Sequence, residues 1–513
     1  MVSEIVLDVN IVVDILVKRT PYEETSILAF NTAVSNNIRI WVYVGSVQTL
    51  HYVLARELMR NTSFSFKSSL GEAKELLETF SSYVQWLPAL SEDGEVWEAI
   101  DPEDEQLKKA FNRLGDDALF ISRDVEILDT VDRAVSPEDS LELLKTRNKA
   151  IPFVDLSLQR DSMHGDLQNG IFRVIHSNQF INGPAVKTLG GELATFSGVK
   201  HAIPCTSGTD ALLLALMALG VKPGDEIIVP AFTFIATGSM VSFYKAVPVF
   251  ADVDSATFTI DPEEIKNKIT DKTVGIIPVS LYGQCAPMEE INIIAAENNL
   301  WVIEDAAQSF GADYKGKKSC NISTLATTSF FPAKPLGCYG DGGAVFTNDD
   351  ILADKVKLYA NHGQAKRYYH SEIGINGRMD SLQAAIVSTK LKHFSREIDA
   401  RNRVAKMYTE RLKDLVKTPV VLPYNRSTWA QYTIQTEKRN LVREKLADKD
   451  IPTAVHYPMP LPRQEAFAYL KQPDNYPVSN KLSETVMSLP MHPFLKEEEI
   501  DLICNTIKEV LDV

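Results

Sequence analysis

The chain has 513 residues, 45% of them apolar, a length that accommodates roughly three domains of about 150 residues each. Its 53 lysines and arginines are outnumbered by 68 aspartates and glutamates, and the net charge of -15 disfavours nucleic acids and anionic membranes as partners. The five cysteines form no C-x-x-C pair, which argues against a zinc or disulfide framework and predicts a cytoplasmic protein.

Residues 1–145 predict a small α/β domain. The segment IVLDVNIVVDILV (5–17) begins as a β-branched strand, and Asp8 lies where that strand ends and a helix begins. Further strands are predicted at 41–47 and 118–122, and helices at 47–59 and 105–114. The opening MVSEIVLDVN lacks the basic region of a secretory signal, so we expect no export.

Three acids in this domain follow the pattern of a known family. Asp8 follows the first strand, Asp104 lies in DPEDEQL, and Asp124 closes ALFISRD ahead of SPEDSLELL. The pattern resembles PIN domains of the toxin-like ribonuclease type, which implies Mg2+ or Mn2+ bound by these three acids, and RNA as a partner if the domain is active. The family's glutamate after the second strand is missing from SVQTLHYVLAR. The alternatives are helix-capping acids, an interaction module, or a fusion of neighbouring reading frames.

A polar linker, KTRNKA (145–150), separates this domain from two further predicted domains. In residues 151–390, strands alternate with helices, which predicts a large domain with a mostly parallel sheet. Its uncharged run 227–244 is interrupted by proline, glycine, threonine and serine, so it predicts a strand, a turn and a helix instead of a membrane span. Charged amphipathic helices in residues 391–513 predict a smaller α+β domain.

A candidate phosphate site lies in CTSGTDALLLALMALG (205–220), where a strand is followed at once by an apolar helix. Gly208 lets the backbone approach a ligand closely, and the free N–H groups at the helix start favour a dianion. Serine and threonine at this position are also ordinary helix caps, so the segment alone does not identify a ligand.

An acid and an amine follow along the chain. Asp305 ends the strand WVIED, where ligands bind in open α/β sheets, and Gln308 follows three residues later. Lys334 lies in an apolar, glycine-rich segment, where loss of water would lower its pKa and leave a neutral amine. Pyridoxal phosphate (PLP) requires such an amine, such an acid and a phosphate site, although Asp305 alone could equally be a helix cap.

The order of the motifs carries a specific resemblance. SGTDAL, PAFTFIAT, VIEDAAQSFGA, SFFPAKPLGCYGDGGA and IGINGRMDSLQAAI occur in turn along residues 151–513. They resemble the DegT/DnrJ/EryC1/StrS family of PLP-dependent sugar aminotransferases. The resemblance implies a fold-type I PLP-dependent transferase, with an aspartate aminotransferase-like large domain, a small C-terminal α+β domain and a homodimeric assembly.

The resemblance also implies a role for each matching residue. Lys334 would hold the cofactor and carry the proton, and Asp305 would face the pyridine nitrogen. The remaining implied cofactor contacts, the last from a neighbouring subunit, are Gly208, Thr209 and Ser329 at the phosphate, Phe234 on the ring face, Gln308 at the ring oxygen and Asn376. A lysine at position 334, where the family's sugar dehydratases carry histidine, favours amino transfer over dehydration.

Within the family, LYGQCAPMEEI, YKGKKSCN, NGRMD and PTAVHYP are closest to enzymes that aminate C3 of a UDP-linked 2-acetamido-3-oxo-hexuronate with glutamate. Such enzymes supply cell-surface polysaccharide or lipopolysaccharide biosynthesis. For four residues in these segments, substrate contact and a structural role both remain open: Tyr282, Arg378, His456 and Tyr457. A competing hypothesis makes the chain chiefly a metal-dependent ribonuclease whose other domains are a scaffold.

Overall fold

The chain forms two compact units in its computed structural model, Met1–Lys149 and Ala150–Val513. The structure describes residues 2, 4–17, 23–35, 38–43, 50, 53–55, 73–74, 76–77, 80, 84–87, 111, 114, 118–124, 127–128, 131, 133–140 and 151–511. Across these ranges, no helix combines the length and the apolar character needed to cross a membrane. The predicted domain boundaries at residues 145 and 390 stay predictions.

The N-terminal unit contains a five-stranded sheet in which each strand runs parallel to its neighbours, in the order β3-β2-β1-β4-β5. Its described elements are β1 (Glu4–Leu7), α1 (Val9–Val17), α2 (Glu23–Ser35), β2 (Arg39–Tyr43), β3 (Gln85–Leu87), β4 (Ala118–Ile121) and β5 (Ala134–Val135). Alternate side chains of a strand point to opposite faces, so Ile5 and Leu7 enter one apolar core and Val6 enters another. Both faces of the sheet are therefore buried, as is usual for parallel sheets.

The C-terminal unit is built on a seven-stranded sheet of order β6-β14-β13-β10-β9-β7-β8. Its strands are β6 (His201–Cys205), β7 (Glu226–Pro230), β8 (Val247–Ala251), β9 (Thr273–Ile276), β10 (Trp301–Asp305), β13 (Leu325–Ser329) and β14 (Gly343–Thr347). β14 pairs antiparallel with both β13 and β6, and all other strand pairs in this sheet are parallel. Ile227 and Val229 of β7 pack into one core and Ile228 into another, so helices cover both faces.

Short strands complete the C-terminal unit: β11 (Asp313–Tyr314), β12 (Lys317–Lys318), β15 (Gln364–Lys366), β16 (Tyr369–His370), β17 (Asn425–Arg426), β18 (Tyr432–Gln435) and β19 (Val486–Leu489). Its first helices are α3 (Leu156–Asp161), α4 (His164–Ser177), α5 (Pro184–Ser197), α6 (Gly208–Leu219), α7 (Ile235–Phe243), α8 (Pro262–Lys268) and α9 (Met288–Glu297). The later helices are α10 (Asp350–Ala360), α11 (Ser381–Leu412), α12 (Arg439–Ala447), α13 (Pro477–Thr485) and α14 (Glu497–Leu511). Three 3-10 turns lie at Leu281–Gly283, Leu461–Arg463 and Glu465–Leu470.

Helix α11 differs from its prediction. The sequence predicts charged amphipathic helices only after residue 390, whereas α11 is a continuous helix of 32 residues that begins at Ser381. Its first half is apolar enough to pack against the large sheet, and Ala384, Val387 and Phe394 lie in a core with strand residues. Its second half packs with β18, β19, α12 and α14 in a separate apolar cluster. The helix therefore joins both parts of the unit.

Candidate active site

A cavity of about 480 Å³ opens at the carboxyl ends of the parallel strands in the C-terminal unit. Ligands bind at this edge in open α/β sheets, because the loops that leave the strands surround it. Seven residues predicted to hold a cofactor line this cavity together: Gly208, Thr209, Phe234, Asp305, Gln308, Ser329 and Lys334. Their individual roles stay predictions. Residues that hold one cofactor must lie around one cavity, and these seven do.

Lys334 lies in the turn after β13, where its backbone N–H donates to the carbonyl of Phe331 at 2.6 Å. Burial lowers the pKa of Lys334 because the ammonium loses hydration, and the carboxylate of Asp305 opposes that shift. A lower pKa increases the fraction of neutral amine at a given pH, and the neutral amine is the nucleophile. The side chain therefore suits a covalent link to a carbonyl cofactor.

Asp305 ends β10 and is only 5% exposed. The hydroxyl of Thr237 donates to its Oδ2 at 2.7 Å, and the backbone N–H of Ala307 donates to its Oδ1 at 3.2 Å. Burial raises the pKa of Asp305, while both hydrogen bonds and the charge of Lys334 act to lower it. The two donors fix the orientation of the carboxylate toward the cavity.

Gln308 is held at both ends of its amide. Its Oε1 accepts a hydrogen bond from the backbone N–H of Tyr282 at 2.9 Å, and its Nε2 donates to the hydroxyl oxygen of Tyr457 at 2.9 Å. Burial raises the pKa of Tyr457 further above its usual range, so its hydroxyl stays protonated. Because that oxygen already accepts from Gln308, its O–H remains able to donate to a ligand.

The start of α6 and the end of β13 face each other across a very short distance. Ser207 caps α6, and its hydroxyl accepts from the backbone N–H of Asp210 at 3.0 Å. A Cβ added to Gly208 would lie 2.7 Å from the Cβ of Ser329. Only glycine fits here, and its neighbours Ser207 and Thr209 also line the cavity. This arrangement suits a phosphate group bound at a helix N-terminus.

Phe234 lines the cavity with 53% of its surface exposed, which is unusual for a large apolar side chain beside a deep site. Its ring centroid lies 6.1 Å from that of Tyr457. Two buried polar atoms of cavity-lining residues have no hydrogen-bond partner among the described residues, Oγ1 of Thr233 and Oε1 of Gln431. An exposed aromatic face and unpaired polar atoms both indicate room for a ligand.

His456 also lines the cavity, and burial together with the charge of Lys334 lowers its pKa to about 4. Its Nδ1 is 2.9 Å from the hydroxyl oxygen of Ser488. Tyr282 lies behind the lining, where its hydroxyl donates to the carbonyl of His456. Arg378 is outside the lining and donates to Oδ1 of Asn361 at 2.9 Å. Among the described residues that line the cavity, Lys334 is thus the one cationic side chain.

The lining residues that were not predicted from the sequence include Phe153, Val154, Asp341, Ala430 and Gln431. Asp341 belongs to the glycine-rich GDGG segment and could have been selected from it. The other four carry no local motif, and tertiary packing alone brings them to the site.

Asn376 is exposed and lies outside the cavity of its own chain. Its backbone forms an isolated antiparallel bridge with Asn361. The predicted contact from a neighbouring subunit is compatible with this position, and it stays a prediction.

In the N-terminal unit, two of the three predicted metal ligands lie at the carboxyl ends of the adjacent strands β1 and β4. The hydroxyl of Ser122 donates to Oδ2 of Asp8 at 2.7 Å and accepts from the backbone N–H of Asp124 at 2.9 Å. Burial raises the pKa of Asp8. The third acid, Asp104, lies outside the described residues. Within the described ranges, no three acids, histidines or cysteines form a group that could bind a metal.

Comparison with known proteins adds to this geometry. Residues 161–508 match the model of the DegT/DnrJ/EryC1/StrS aminotransferase family. A UDP-2-acetamido-2-deoxy-3-oxo-D-glucuronate aminotransferase of Pseudomonas aeruginosa is 50% identical over 358 residues, 70% of this chain and 99% of that protein. A UDP-N-acetyl-3-dehydro-alpha-D-glucosamine 3-aminotransferase of Acidithiobacillus ferrooxidans is 41% identical over 367 residues, 71% of this chain and 99% of that protein.

Among solved structures, a DegT DnrJ EryC1 StrS aminotransferase from Brucella abortus is 40% identical, with a TM-score of 0.68. The match covers 71% of this chain and 100% of that chain. The predicted fold-type I aminotransferase architecture is thereby confirmed. The family model matches no residue of the N-terminal unit, so the PIN-like fold of that unit stays a prediction.

Proposed function

The chain belongs to the DegT/DnrJ/EryC1/StrS aminotransferase family, and we propose that it transfers the amino group of glutamate to C3 of a UDP-linked 2-acetamido-3-oxo-hexuronate. The predicted enzyme class, a PLP-dependent sugar-nucleotide aminotransferase, is confirmed by the comparisons. The proposal concerns the sugar, the donor and a role in cell-surface polysaccharide biosynthesis in the cytoplasm.

The single structural observation that carries the amino-transfer chemistry is the buried amine of Lys334, with its lowered pKa, sharing a cavity with the oriented carboxylate of Asp305. When bound, PLP supplies an electron sink for the charge left on a carbon that loses a proton. The residues fit that cofactor. The glycine at 208 leaves room for a phosphate beside Ser329, and the exposed face of Phe234 leaves room for a ring.

The residues that line the cavity would have different roles in the reaction. The neutral Nζ of Lys334 can accept a proton from Cα of glutamate and release it again, because burial favours its uncharged form. Asp305 would hold the pyridine nitrogen protonated, since an adjacent carboxylate favours the charged ring. Gln308 is held in place by Tyr282 and Tyr457, so the hydroxyl of Tyr457 and the remaining N–H of Gln308 can donate to a ligand.

The choice of sugar is supported by two relatives whose named substrates differ at C6. The Pseudomonas aeruginosa relative acts on a 3-oxo-glucuronate and the Acidithiobacillus ferrooxidans relative on a 3-dehydro-glucosamine. The higher identity to the first supports a substrate with a C6 carboxylate. The test compares both UDP-3-oxo sugars with glutamate, and equal kcat/KM values would contradict selection of the hexuronate.

We also propose a homodimer in which Asn376 serves the neighbouring cavity. The exposed position of Asn376 away from its own cavity supports this arrangement. Mixing a Lys334→Ala chain with an Asn376→Ala chain would create one intact cavity in each mixed dimer. Activity above that of either variant alone is expected, and its absence after confirmed subunit exchange would contradict the arrangement.

For the N-terminal unit, we propose a PIN-like fold, with metal-dependent cleavage of RNA as the second candidate function. The parallel order β3-β2-β1-β4-β5, with Asp8 and Asp124 at the ends of adjacent strands, supports it. Mg2+ or Mn2+ with a third acid such as Asp104 would activate water for cleavage of RNA. RNA cleavage that depends on Mg2+ and disappears in Asp8→Asn is the expected result. No cleavage by either protein would contradict the nuclease and leave an interaction module.

A further inference from the structure

Helix α11 carries a line of buried charges that the reaction described above does not use. Lys390, Glu397 and Arg401 are 1%, 8% and 3% exposed. Spacings of seven and four residues place them on one face of the helix. A charged side chain is rarely buried so fully unless it has a specific partner, because loss of hydration is costly.

Arg401 bridges two segments through one nitrogen. Its Nη1 donates to the carbonyl of Trp429 at 3.1 Å and to the carbonyl of Met491 at 3.1 Å. Burial lowers the pKa of Arg401 to about 10, and the carboxylate of Glu397 acts against that shift. The guanidinium thus remains charged at neutral pH, and hydrogen bonds from a charged donor are the stronger kind.

Each carbonyl is linked to a segment that lines the cavity, one through the chain and the other through a hydrogen bond. Trp429 is followed directly by Ala430 and Gln431, which line the cavity. The backbone of Trp429 has a φ of 52°, a left-handed conformation that a tryptophan adopts only when its surroundings hold it there. One bond of Arg401 therefore fixes the turn that presents Gln431 and its unpaired Oε1.

The second bond is linked to another lining segment through one further hydrogen bond. The backbone N–H of Met491 donates to the carbonyl of Phe153 at 3.0 Å. Phe153 and Val154 line the cavity, and the ring of Phe153 lies 6.1 Å from that of His456. Arg401 therefore connects two wall segments that are far apart in sequence, without itself lining the cavity.

We propose that Arg401 is a positioning residue that sets the separation of these two walls and thereby the fit of the substrate. The walls at 153–154 and 430–431 are distinct from the residues expected to hold the cofactor. Substrate affinity, and not cofactor binding, should therefore depend on Arg401. Glu397 serves as its buried counter-charge, and its Oε2 accepts from Nε2 of Gln159 at 2.9 Å.

The proposal rests on the aminotransferase function proposed above, and the test compares the intact holoenzyme with Arg401→Met, Arg401→Lys and a matched control. Arg411 lies on the same helix and forms ion pairs with Asp501 and Glu497, but it contacts no cavity segment. We expect Arg401→Met to raise the substrate KM about tenfold while the visible absorbance of bound PLP is retained. Arg411→Met should leave KM within about twofold of the starting protein.

Arg401→Lys keeps the charge but can reach only one carbonyl well, so its KM should lie between those of the original chain and Arg401→Met. If Arg401→Met does not fold, Arg401→Lys decides alone, with a raised KM supporting the proposal. An unchanged KM in the folded variant, or an equal loss of PLP binding, would overturn it. If the original chain does not use the UDP-3-oxo sugar, the same comparison with glutamate, followed by the change in PLP absorbance, tests Arg401 separately from the choice of sugar.

Discussion

Replacement of Gly208 by alanine directly tests the candidate phosphate site between the start of α6 and the end of β13. The added Cβ would lie 2.7 Å from the Cβ and 3.2 Å from the Cα of Ser329. Carbon atoms attract best at about 3.5–4.0 Å, so helix α6 and the end of β13 must separate by roughly 1 Å. Overpacking of this kind costs about 1–3 kcal/mol. If the strain falls on the cofactor-bound form, the Kd for PLP rises roughly 5- to 150-fold.

The assay is titration of the apo-protein with PLP, followed by absorbance. Gly191→Ala is the matched control, since no atom lies within 4 Å of its added Cβ and it lies inside helix α5. That control should leave the Kd unchanged and raise stability by about 0.5–1 kcal/mol. A Kd for Gly208→Ala within about twofold of the original protein would refute the close approach of the two segments as a requirement for cofactor binding.

Three further predictions concern the ionisable groups. Lys334→Ala should remove the visible absorbance of bound PLP and lower turnover at least about 100-fold, measured as release of 2-oxoglutarate. Thr237→Val removes a hydrogen bond that lowers the pKa of Asp305, so the acidic limb of the kcat/KM profile should move to higher pH; an unmoved limb would contradict this. Burial lowers the pKa of His492 to about 4 from an ordinary 6.5, so protonation favours the unfolded chain and stability falls as pH drops from 6.5 towards 4. At pH 5 the loss is about 2 kcal/mol, and urea unfolding of His492→Gln should show a smaller loss.

Sequence reasoning located the side chains that stand at strand ends. Asp305 ends one predicted strand and the start of α6 follows another, and the topology of the sheet brings such ends to one edge. Ser329 is implied only by the family resemblance. Lys334 was found because a lysine in an apolar, glycine-rich segment conflicts with its usual preference for water. Local pattern and tertiary position agree at these residues.

The remaining wall could not be predicted because no local pattern specifies it. Phe153 and Gln431 reach the cavity only through packing between segments distant in sequence. Lys390 and Arg401 of α11 are both buried, which the charged pattern of this segment does not predict. Their partners are a tyrosine ring at 4.2 Å and two backbone carbonyls, contacts that leave no pattern in the sequence. In the N-terminal unit, the role of Asp104 stays a prediction.

The most direct test of the central claim uses [15N]glutamate and UDP-2-acetamido-3-oxo-glucuronate with the purified chain. Mass spectrometry and NMR of the product locate the labelled nitrogen. The proposed function predicts one 15N atom per sugar, attached at C3, with equal release of 2-oxoglutarate. A sugar that gains no label, or that carries it at another carbon, would contradict the proposed function.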